Sequence, residues 1–410
     1  NEAEFLYRLL DPDTAADVLM ELDEDDRLKL LESMPAEQIA KQIDHLDTDD
    51  AVDLIQQLDE DDRDEILSHI DDVEQAGDII DLLKYDEDTA GGLMGTEMIV
   101  VNENWSMPEC IRQMRMQAED MDEIYYVYVV DDDDKLKGTL PLKKMITHPS
   151  VSKIKHVMEP DPVCVKVDTP IDEVTLDFEK YDLVAMPVID SIGRLLGRIT
   201  VDDVMDEVRE SSERDYQLAS GISSDIDADD SIFAQTKARI PWLLIGIVSG
   251  ILASLILGSF EAKLQAVTAL ALFIPIIGGT GGNVGVQASA IVVQSLANGT
   301  LEVKEFSRQL GKEVLIGLLN ATIMSAVMFV YNLIALPGEF AVTLSVALSL
   351  FVVVMFASIL GTVVPLTLEK LHINPALATG PFIQISNDLL GLIIYVWISA
   401  YCLTAFGTPI

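Results

Sequence analysis

Five long apolar windows after residue 240 constrain this chain more than any other feature. Charged residues are missing from Pro241–Phe260, Leu264–Leu301, Val314–Gly338 and Phe340–Leu368, and a single one interrupts residues 373–410. A helix of about 20 residues crosses the ~30 Å hydrocarbon core of a bilayer, so each window is long enough to span it. We therefore predict five spanning helices. The second and fifth windows are longer and contain Pro and Gly, so we expect them to be bent or partly re-entrant.

The single charge in the fifth window is Asp388. A carboxylate at bilayer depth costs at least ~2.5 kcal/mol, and such residues normally face a polar cavity or an ion path. The alternative is a residue that hydrogen-bonds between packed helices. On a helix, Gln384 would share the face of Asp388 and Asn387 would not. We expect Gly391, on the neighbouring face, to leave room for a hydrated ion.

Most of the acids precede the windows. Residues 1–90 hold 31 acids and 6 bases, and residues 91–240 hold 31 acids and 16 bases. This excess of negative charge opposes nucleic-acid binding. The three cysteines lack the spacing of a metal site. The sequence also contains no recognisable nucleophile–base pair or phosphate-binding loop, so we do not expect an enzyme.

Basic residues near the windows predict the orientation in the membrane. Six of them lie on the side of the N-terminal body, and only Lys263 lies on the other side. The positive-inside rule then predicts a cytoplasmic N-terminal body and, after five spans, a C-terminus outside. Residues 1–30 are acidic and helical in pattern, so we expect no signal peptide there. The six basic residues are Lys237, Arg239, Lys304, Arg308, Lys312 and Lys370.

Residues 1–90 contain a repeat of 12 positions in which an apolar residue precedes a helix-capping residue. An acid often follows the cap after three residues, which is the capping-box pattern with Asp in place of Ser or Thr. A short fixed period predicts stacked helices that bury their apolar faces on one another. The predicted boxes are Asp23/Asp26, Asp47/Asp50, Asp59/Asp62 and Asp71/Glu74.

Residues 91–210 alternate predicted strands and short helices, and the same order occurs twice. In the second copy we predict a strand at Val163–Val167, a helix at Ile171–Tyr181, and strands at Ala185–Ile189 and Leu195–Thr200. The pattern resembles a tandem pair of CBS domains, which would occupy residues 91–150 and 151–208.

A possible nucleotide signature lies in the second copy only. It reads Gly197-x-x-Thr200-x-x-Asp203, whereas the first copy, from Gly138 to Lys144, lacks both the Thr and the Asp. The resemblance therefore implies that ATP or another adenine nucleotide could bind at Thr200 and Asp203. The alternative is a purely structural dimerisation module.

The membrane part carries two motifs, Gly278-Gly-Thr-Gly-Gly-Asn283 in the second window and Asn387-Asp388 in the fifth. Clustered glycines either break helical regularity or let a neighbouring backbone approach closely. With the acidic repeat, the CBS pair and a connecting helix over residues 209–239, these motifs closely resemble the MgtE family of magnesium channels. The resemblance implies a multidomain membrane protein. Its parts are an all-α acidic helical-repeat N domain (1–90), α/β tandem CBS domains and a five-helix transmembrane domain (240–410).

The resemblance also implies roles for particular residues. Asp388 matches the pore aspartate that holds hydrated Mg²⁺. Cytosolic Mg²⁺ ligands are expected at the second CBS domain and at the close of the N domain. The expected sensor residues are Asp203, Asp206, Asp182, Asp172, Asp86 and Asp88.

Some positions depart from the family's pattern. Asn374-Pro375 stands where the family usually has Asp-Pro, which weakens the expected bridge between the connecting helix and the pore mouth. Ser211 and Arg214 stand where acids are expected, and Val286 stands where Asn is usual. We expect the strength or sensitivity of gating to differ for this reason.

The function implied by the resemblance is a Mg²⁺-selective channel of the cytoplasmic membrane, formed by a homodimer in lipid. Cytosolic Mg²⁺ would close it by binding between acids of the N domain, the CBS domains and the connecting helix. One carboxylate per subunit fits a dimer axis, because Mg²⁺ keeps several of its waters. Two alternatives stay open: an ion-coupled secondary transporter of divalent cations, and a nucleotide-gated scaffold with no ion path.

Overall fold

The computed structural model describes residues 6–406 apart from 8, 23, 119–120, 122–123, 149–151, 225, 229, 261–267 and 302–305. Asp23, Lys263, Lys304 and the C-terminal end, on which parts of the predictions above depend, lie outside the described residues. The chain separates into two compact units, Asn1–Val208 and Arg209–Ile410.

The first unit begins with short helices whose spacing follows the repeat. The first five described in this region start 12 residues apart, as the sequence predicts. Asp11 accepts a hydrogen bond from the Thr14 N–H at 3.2 Å. The predicted box at Asp71 is wrong by one residue, since Asp72 is the N-cap and accepts from Glu74 N at 2.8 Å. The helices are α1 Pro12–Met20, α2 Glu24–Leu31, α3 Ala36–Ile43, α4 Thr48–Gln56, α5 Glu60–Leu67 and α6 Val73–Leu82.

Two arginines, three repeats apart, close the C-terminal ends of helices. Arg27 donates to the carbonyl oxygens of Leu19 at 3.0 Å and Leu22 at 3.0 Å. Arg63 donates to the carbonyl oxygen of Leu58 at 2.7 Å and also to that of Gln56. The last carbonyls of a helix have no partner within the helix, so each guanidinium satisfies groups that the short helices leave open.

Two small sheets follow, one for each CBS copy. β1 (Ile99–Asn102), β2 (Val127–Val130), β3 (Leu136–Leu140) and β4 (Glu159–Pro160) form a sheet in that order. β5 (Val165–Lys166), β6 (Ala185–Ile189) and β7 (Leu195–Thr200) form the other. In both sheets the first pair is parallel and the next is antiparallel. The helices of these copies are α7 (Met107–Gln117), α8 (Leu142–Thr147) and α9 (Ile171–Tyr181).

The N domain shares one hydrophobic core with the second CBS copy. Buried Leu54 and Ile79 of the N-domain helices belong to the same cluster as Met94, Val188 and Ile199. The first CBS copy has a separate core around Val101 and Val129. The shared core fixes α4 against the second copy, which determines which acids meet there.

A single helix, α10 (Val201–Ala219), runs out of the second CBS copy. The predicted boundary at residue 208 therefore falls inside a helix. Residues 201–219 contain no Gly or Pro that would end the helix earlier. The helix ends just before Gly221, and the φ of 80° at that glycine is typical of a helix terminus. The predicted connecting helix over 209–239 is thus two pieces, because α11 (Ile232–Ser259) contains the rest.

The second unit contains five helices long and apolar enough to cross a membrane among the residues described. They are α11, a short 3₁₀ turn leading into α12 (Ile274–Ala297), α13 (Phe306–Ala335), α14 (Phe340–Lys370), and a turn at Pro375–Ala378 leading into α15 (Gly380–Phe406). α14 packs against α12, α13 and α15. The irregularity expected in the second and fifth windows lies at the start of each helix.

The Gly-rich motif lies in a continuous helix and serves close packing. A methyl group on Gly281 would lie 2.7 Å from Cγ1 of Val353 in α14. One on Gly361 of α14 would lie 2.4 Å from the carbonyl oxygen of Gly285. Of the two roles considered for these glycines, close helix approach is the one observed.

Candidate metal sites

Asp388 lies in the third turn of α15 and is exposed in the protomer. A methyl group added at Gly278 of α12 would lie 3.3 Å from its Oδ1 atom, and one added at Gly282 would lie 3.5 Å away. Gly282 also faces Gln384, whose Cγ would be 3.3 Å from such a methyl. The carboxylate therefore lies against two glycines one helical turn apart, with Gln384 beside it.

Both helices at this point expose polar side chains at bilayer depth. α12 exposes Asn283 and Gln287, which are one turn apart on one face. α15 exposes Gln384 and Asp388, which are also one turn apart. Exposed polar groups within a spanning helix normally face a cavity or another subunit, because lipid does not hydrogen-bond them.

Asn387 occupies a different side of α15. It is only 1% exposed, and a methyl on Gly285 would lie 2.0 Å from its Nδ2. Gly391 does not face the site: it is buried, and a methyl there would lie 3.2 Å from Cγ1 of Val353. Gly391 therefore packs against α14, and the expectation that it leaves room for a hydrated ion is wrong.

A second group of acids lies in the first unit, at the start of α4. Carboxylate oxygens of Asp47, Asp49 and Glu97 lie within 4.8 Å of one another. Glu97 accepts hydrogen bonds from the N–H of Thr48 at 3.0 Å and from its hydroxyl at 3.1 Å. A methyl on Gly95 would lie 3.2 Å from Oδ2 of Asp49. The glycine thus lets the segment before β1 approach the N terminus of α4.

Asp203 of the second CBS copy lies near enough to this group for its charge to act on Asp49. It lies in the first turn of α10, and its Oδ2 accepts from the Thr200 N–H at 2.9 Å and from the Thr200 hydroxyl. Asp203, the third residue of α10, therefore reaches back to the N–H of Thr200, which is one half of a capping box. The charge of Asp203 acts on both Asp49 and Asp50.

The shared environment raises the pKa values of these carboxyl groups. Burial, and then neighbouring carboxylates with Asp203 first, raise the pKa of Asp49 well above its ordinary value. Burial and neighbouring carboxylates raise the pKa of Asp50 to about 7. Burial also raises the pKa of Glu97 and of Asp203. Carboxylate oxygens held this close suit a hard divalent cation, which would neutralise them.

The other predicted sensor residues are exposed, whereas Asp49, Glu97 and Asp203 are half-buried. Asp86 and Asp88 are exposed in the turn after α6, where the Asp88 N–H donates to Asp86 Oδ1 at 3.1 Å. The Asp88 carbonyl accepts from the N–H of Ile171 at 3.2 Å, next to exposed Asp172 in the first turn of α9. These three acids therefore gather at one end of α9.

Asp182 and Asp206 belong to two further elements of the second CBS copy. Asp182 caps the opposite end of α9 with a left-handed φ of 52° and is exposed. Asp206 is exposed on α10, almost one turn beyond Asp203. The backbone links these two regions, because Val201 N donates to the carbonyl of Val184 at 3.0 Å.

Sequence reasoning missed Asp47, Asp49, Asp50 and Glu97 as candidate ligands. The repeat explains the three aspartates as helix caps and solvated acids, and it gives no reason to expect them near Glu97, which lies outside the repeat. The signal that could have found them is Gly95 followed by Glu97 just before a strand, where only a close contact requires glycine.

Comparison with known families gives three matching profiles. A profile for the MgtE intracellular N domain matches residues 1–88, and the CBS domain profile matches residues 90–150 and 154–210. The profile of the MgtE divalent cation transporter matches residues 274–398.

Two curated relatives are similar over most of their length. The magnesium transporter MgtE of Thermus thermophilus is 35% identical over 331 residues, which cover 79% of this chain and 72% of that protein. The magnesium transporter MgtE of Enterococcus faecalis is 31% identical over 336 residues, 81% of this chain and 73% of that protein.

Among solved structures, a cytosolic domain of the Mg²⁺ channel MgtE in complex with ATP is 33% identical. The matched region covers 50% of this chain and 84% of the chain in that structure, with a TM-score of 0.48. The profile matches and the identity to the two relatives establish the family: the chain belongs to the MgtE family of magnesium transporters.

Proposed function

We propose that the protein is a Mg²⁺-selective channel of the cytoplasmic membrane and that Asp388 holds the permeating ion. The observation that carries this proposal is the exposed carboxylate against Gly278 and Gly282, beside Gln384. The two glycines leave the space next to the carboxylate free of side chains.

The chemistry of Mg²⁺ fits this arrangement. The ion is small and releases water reluctantly, so it is usually held by one or two carboxylates and several waters. A homodimer would bring two Asp388 carboxylates to one axis. The exposed polar faces of α12 and α15 support such a pairing, because they are unsuited to lipid. The basic residues that flank the spans orient the N-terminal unit to the cytoplasm, and five spans then leave the C-terminus outside.

Cytosolic Mg²⁺ closes the channel in this proposal. Without the ion, the acids around Asp49 and Asp203 repel one another. Bound Mg²⁺ favours the state in which they stay together, which is a shift of population toward that state. A large shift needs several kcal/mol of differential binding, so several ions act together. The expected sensor residues Asp206, Asp182, Asp172, Asp86 and Asp88 supply further sites.

Adenine nucleotide binding at Thr200 and Asp203 stays a prediction. Both hydrogen bonds from Thr200 already engage Oδ2 of Asp203, and acids surround the residue. This environment favours a cation over a ribose at Asp203. Calorimetric titration of the full chain with ATP, in wild type and Asp203→Ala, measures the contribution of this residue.

The pore proposal is tested by Mg²⁺ uptake into proteoliposomes. We expect Asp388→Asn to abolish most uptake, because a neutral amide holds the cation far less strongly. Gln384→Ala keeps the carboxylate and should retain uptake with changed discrimination among Mg²⁺, Mn²⁺ and Ca²⁺. Normal uptake by Asp388→Asn would overturn the role of the carboxylate.

The gating proposal is tested by proteolysis of the full chain in detergent. Protection of residues 1–208 should rise with Mg²⁺, and Asp49→Asn with Asp203→Asn should require more Mg²⁺ for the same protection. Lys41→Ala, which removes an exposed pair with Glu37 and leaves Asp49 and Asp203 unchanged, serves as the control. Protection that ignores Mg²⁺ would contradict the gating proposal and leave the pore proposal standing.

A further inference from the structure

A side-chain pair joins the end of α10 to the residue that precedes the turn before α15. Asn374, just before the turn that leads into α15, donates from Nδ2 to Oδ1 of Asp215 at 2.8 Å. Its Oδ1 accepts from the Ala376 N–H at 2.8 Å. A carboxylate only accepts and a backbone N–H only donates, so the two contacts together fix the orientation of the amide.

Backbone packing surrounds this pair. A methyl on Gly380 would lie 2.0 Å from the carbonyl oxygen of Ala219. One on Gly221 would lie 2.6 Å from Cγ of Pro381. The residues that end α10 are therefore in direct contact with the first residues of α15, and no side chain separates them.

The segment that follows α10 also contacts the first spanning helix, α11. Ser223 donates to the carbonyl oxygen of Ala238 in α11, from its N–H at 3.2 Å and from its hydroxyl at 2.7 Å. The segment after α10 is thus held from two sides within the second unit.

We propose that the Asn374–Asp215 pair is a latch that holds α10 on α15 without a bound cation. An amide and a carboxylate attract each other directly. Two carboxylates at the same separation would repel, and one would stay protonated or both would need a cation between them. The amide at position 374 therefore removes the need for Mg²⁺ at this contact.

The latch acts on the helix that carries Asp388. Eight residues separate Gly380 from Asp388, a rise of about 12 Å along α15. The consequence for flux, unlike the latch itself, rests on the proposed channel function. In that setting, Mg²⁺ sensitivity comes from the acids around Asp49 and Asp203, and the latch transmits movement of α10 to α15.

The latch is tested by cross-linking in the full chain. Cysteines replace Ser220 and Pro381 in a background without Cys110, Cys164 and Cys402, and a short bis-maleimide joins them. With Asn374 and Asp215 intact, the cross-linking rate should be the same in EDTA and in Mg²⁺. In EDTA, Asn374→Asp should lower the cross-linking rate several-fold. In Mg²⁺, the rate of this variant should return to that of the wild type.

An exchange variant separates the latch from a folding defect. Asp215→Asn combined with Asn374→Asp restores an amide facing a carboxylate, and the new Asp can still accept from the Ala376 N–H. The cross-linking rate of this double variant should again be the same in EDTA and in Mg²⁺. A wild-type pair that needs Mg²⁺, or an exchange variant that behaves like Asn374→Asp alone, would overturn the latch.

Flux measurements on the same variants test the consequence. Asn374→Asp should add a Mg²⁺-dependent step to inhibition of uptake, and the exchange variant should remove it. If cross-linking behaves as expected while inhibition is identical in all variants, the latch stands and its part in gating is rejected.

Discussion

At the scale of single residues, glycines decide what can lie beside the candidate ion site. Gly278 and Gly282 leave space at Asp388, whereas Gly285 accommodates the buried Asn387. The position of Asp388 as the charged member of its window was predictable from the sequence. Which glycine faces Asp388 and which faces Asn387 was not predictable, because it depends on the neighbouring helix that each glycine contacts.

Replacement of Gly285 should therefore be costly. We expect Gly285→Ala to lower stability by about 1–3 kcal/mol, since overpacking forces side chains and backbone to shift. A methyl there would lie 2.0 Å from Asn387 Nδ2 and 2.8 Å from Cγ2 of Ile383. Thermal unfolding in detergent measures the change.

Gly279→Ala is the matched control, because a methyl there meets no atom within 4 Å in the protomer. Asn387→Ala added to Gly285→Ala should recover part of the loss. Equal stability of the Gly279 and Gly285 variants would show that the contact is not tight.

At the scale of elements, two short helices of the N domain end against arginine side chains, α1 at Arg27 and α4 at Arg63. The 12-residue repeat and the strands β6 and β7 could be read from the sequence, because local periodicity determines them. The capping bonds could not all be read: Asp47 and Asp59 occupy N-cap positions, yet neither side chain makes a cap hydrogen bond. The arginine contacts reach backward between helices, so spacing alone does not reveal them.

Arg63→Ala should destabilise the protein by about 2 kcal/mol, because hydrogen bonds from a charged donor to otherwise open carbonyls are lost. Lys41→Ala, which removes an exposed pair with Glu37 at 2.9 Å, should change stability much less, because solvent and salt screen an exposed ion pair. Chemical unfolding followed by circular dichroism compares the two. Similar losses would argue against the capping role of Arg63.

The acids at the start of α4 should make stability depend on pH. The folded-state pKa of Asp50 is about 7, which lies above its ordinary value of 3.8. Between these two pH values the folded protein therefore binds more protons than the unfolded protein. Stability without metal should therefore fall as pH rises from about 4 to about 7. Mg²⁺ competes with protons, so the gain in Tm from Mg²⁺ should be larger at pH 8 than at pH 5.

Thermal unfolding of the full chain in EDTA and in Mg²⁺, at both pH values, checks this expectation. Asp50→Asn should flatten the dependence in EDTA. A gain from Mg²⁺ that is equal at pH 5 and pH 8 would contradict it.

At the scale of the whole molecule, the five spans followed from hydropathy and charge, whereas the N domain followed from its repeat and the CBS pair from the resemblance of its strand–helix pattern. The meeting of Asp49 with Asp203 did not, because it needs the shared core that packs the N domain on the second CBS copy. Contacts between residues so far apart in sequence are fixed by packing. For the same reason Asp86 and Asp88, placed by analogy near the end of the N domain, lie beside Asp172 and not beside Asp203.

In the proposed channel, Mg²⁺ moves down its own gradient through a pathway between the protomers, beside Asp388. Single-channel recording in a planar bilayer, with a Mg²⁺ gradient and no gradient of H⁺ or Na⁺, tests it most directly. The account predicts discrete Mg²⁺ currents in wild type that persist without a counter-ion gradient and disappear in Asp388→Asn. Currents that require an H⁺ or Na⁺ gradient, or that survive unchanged in Asp388→Asn, would contradict it.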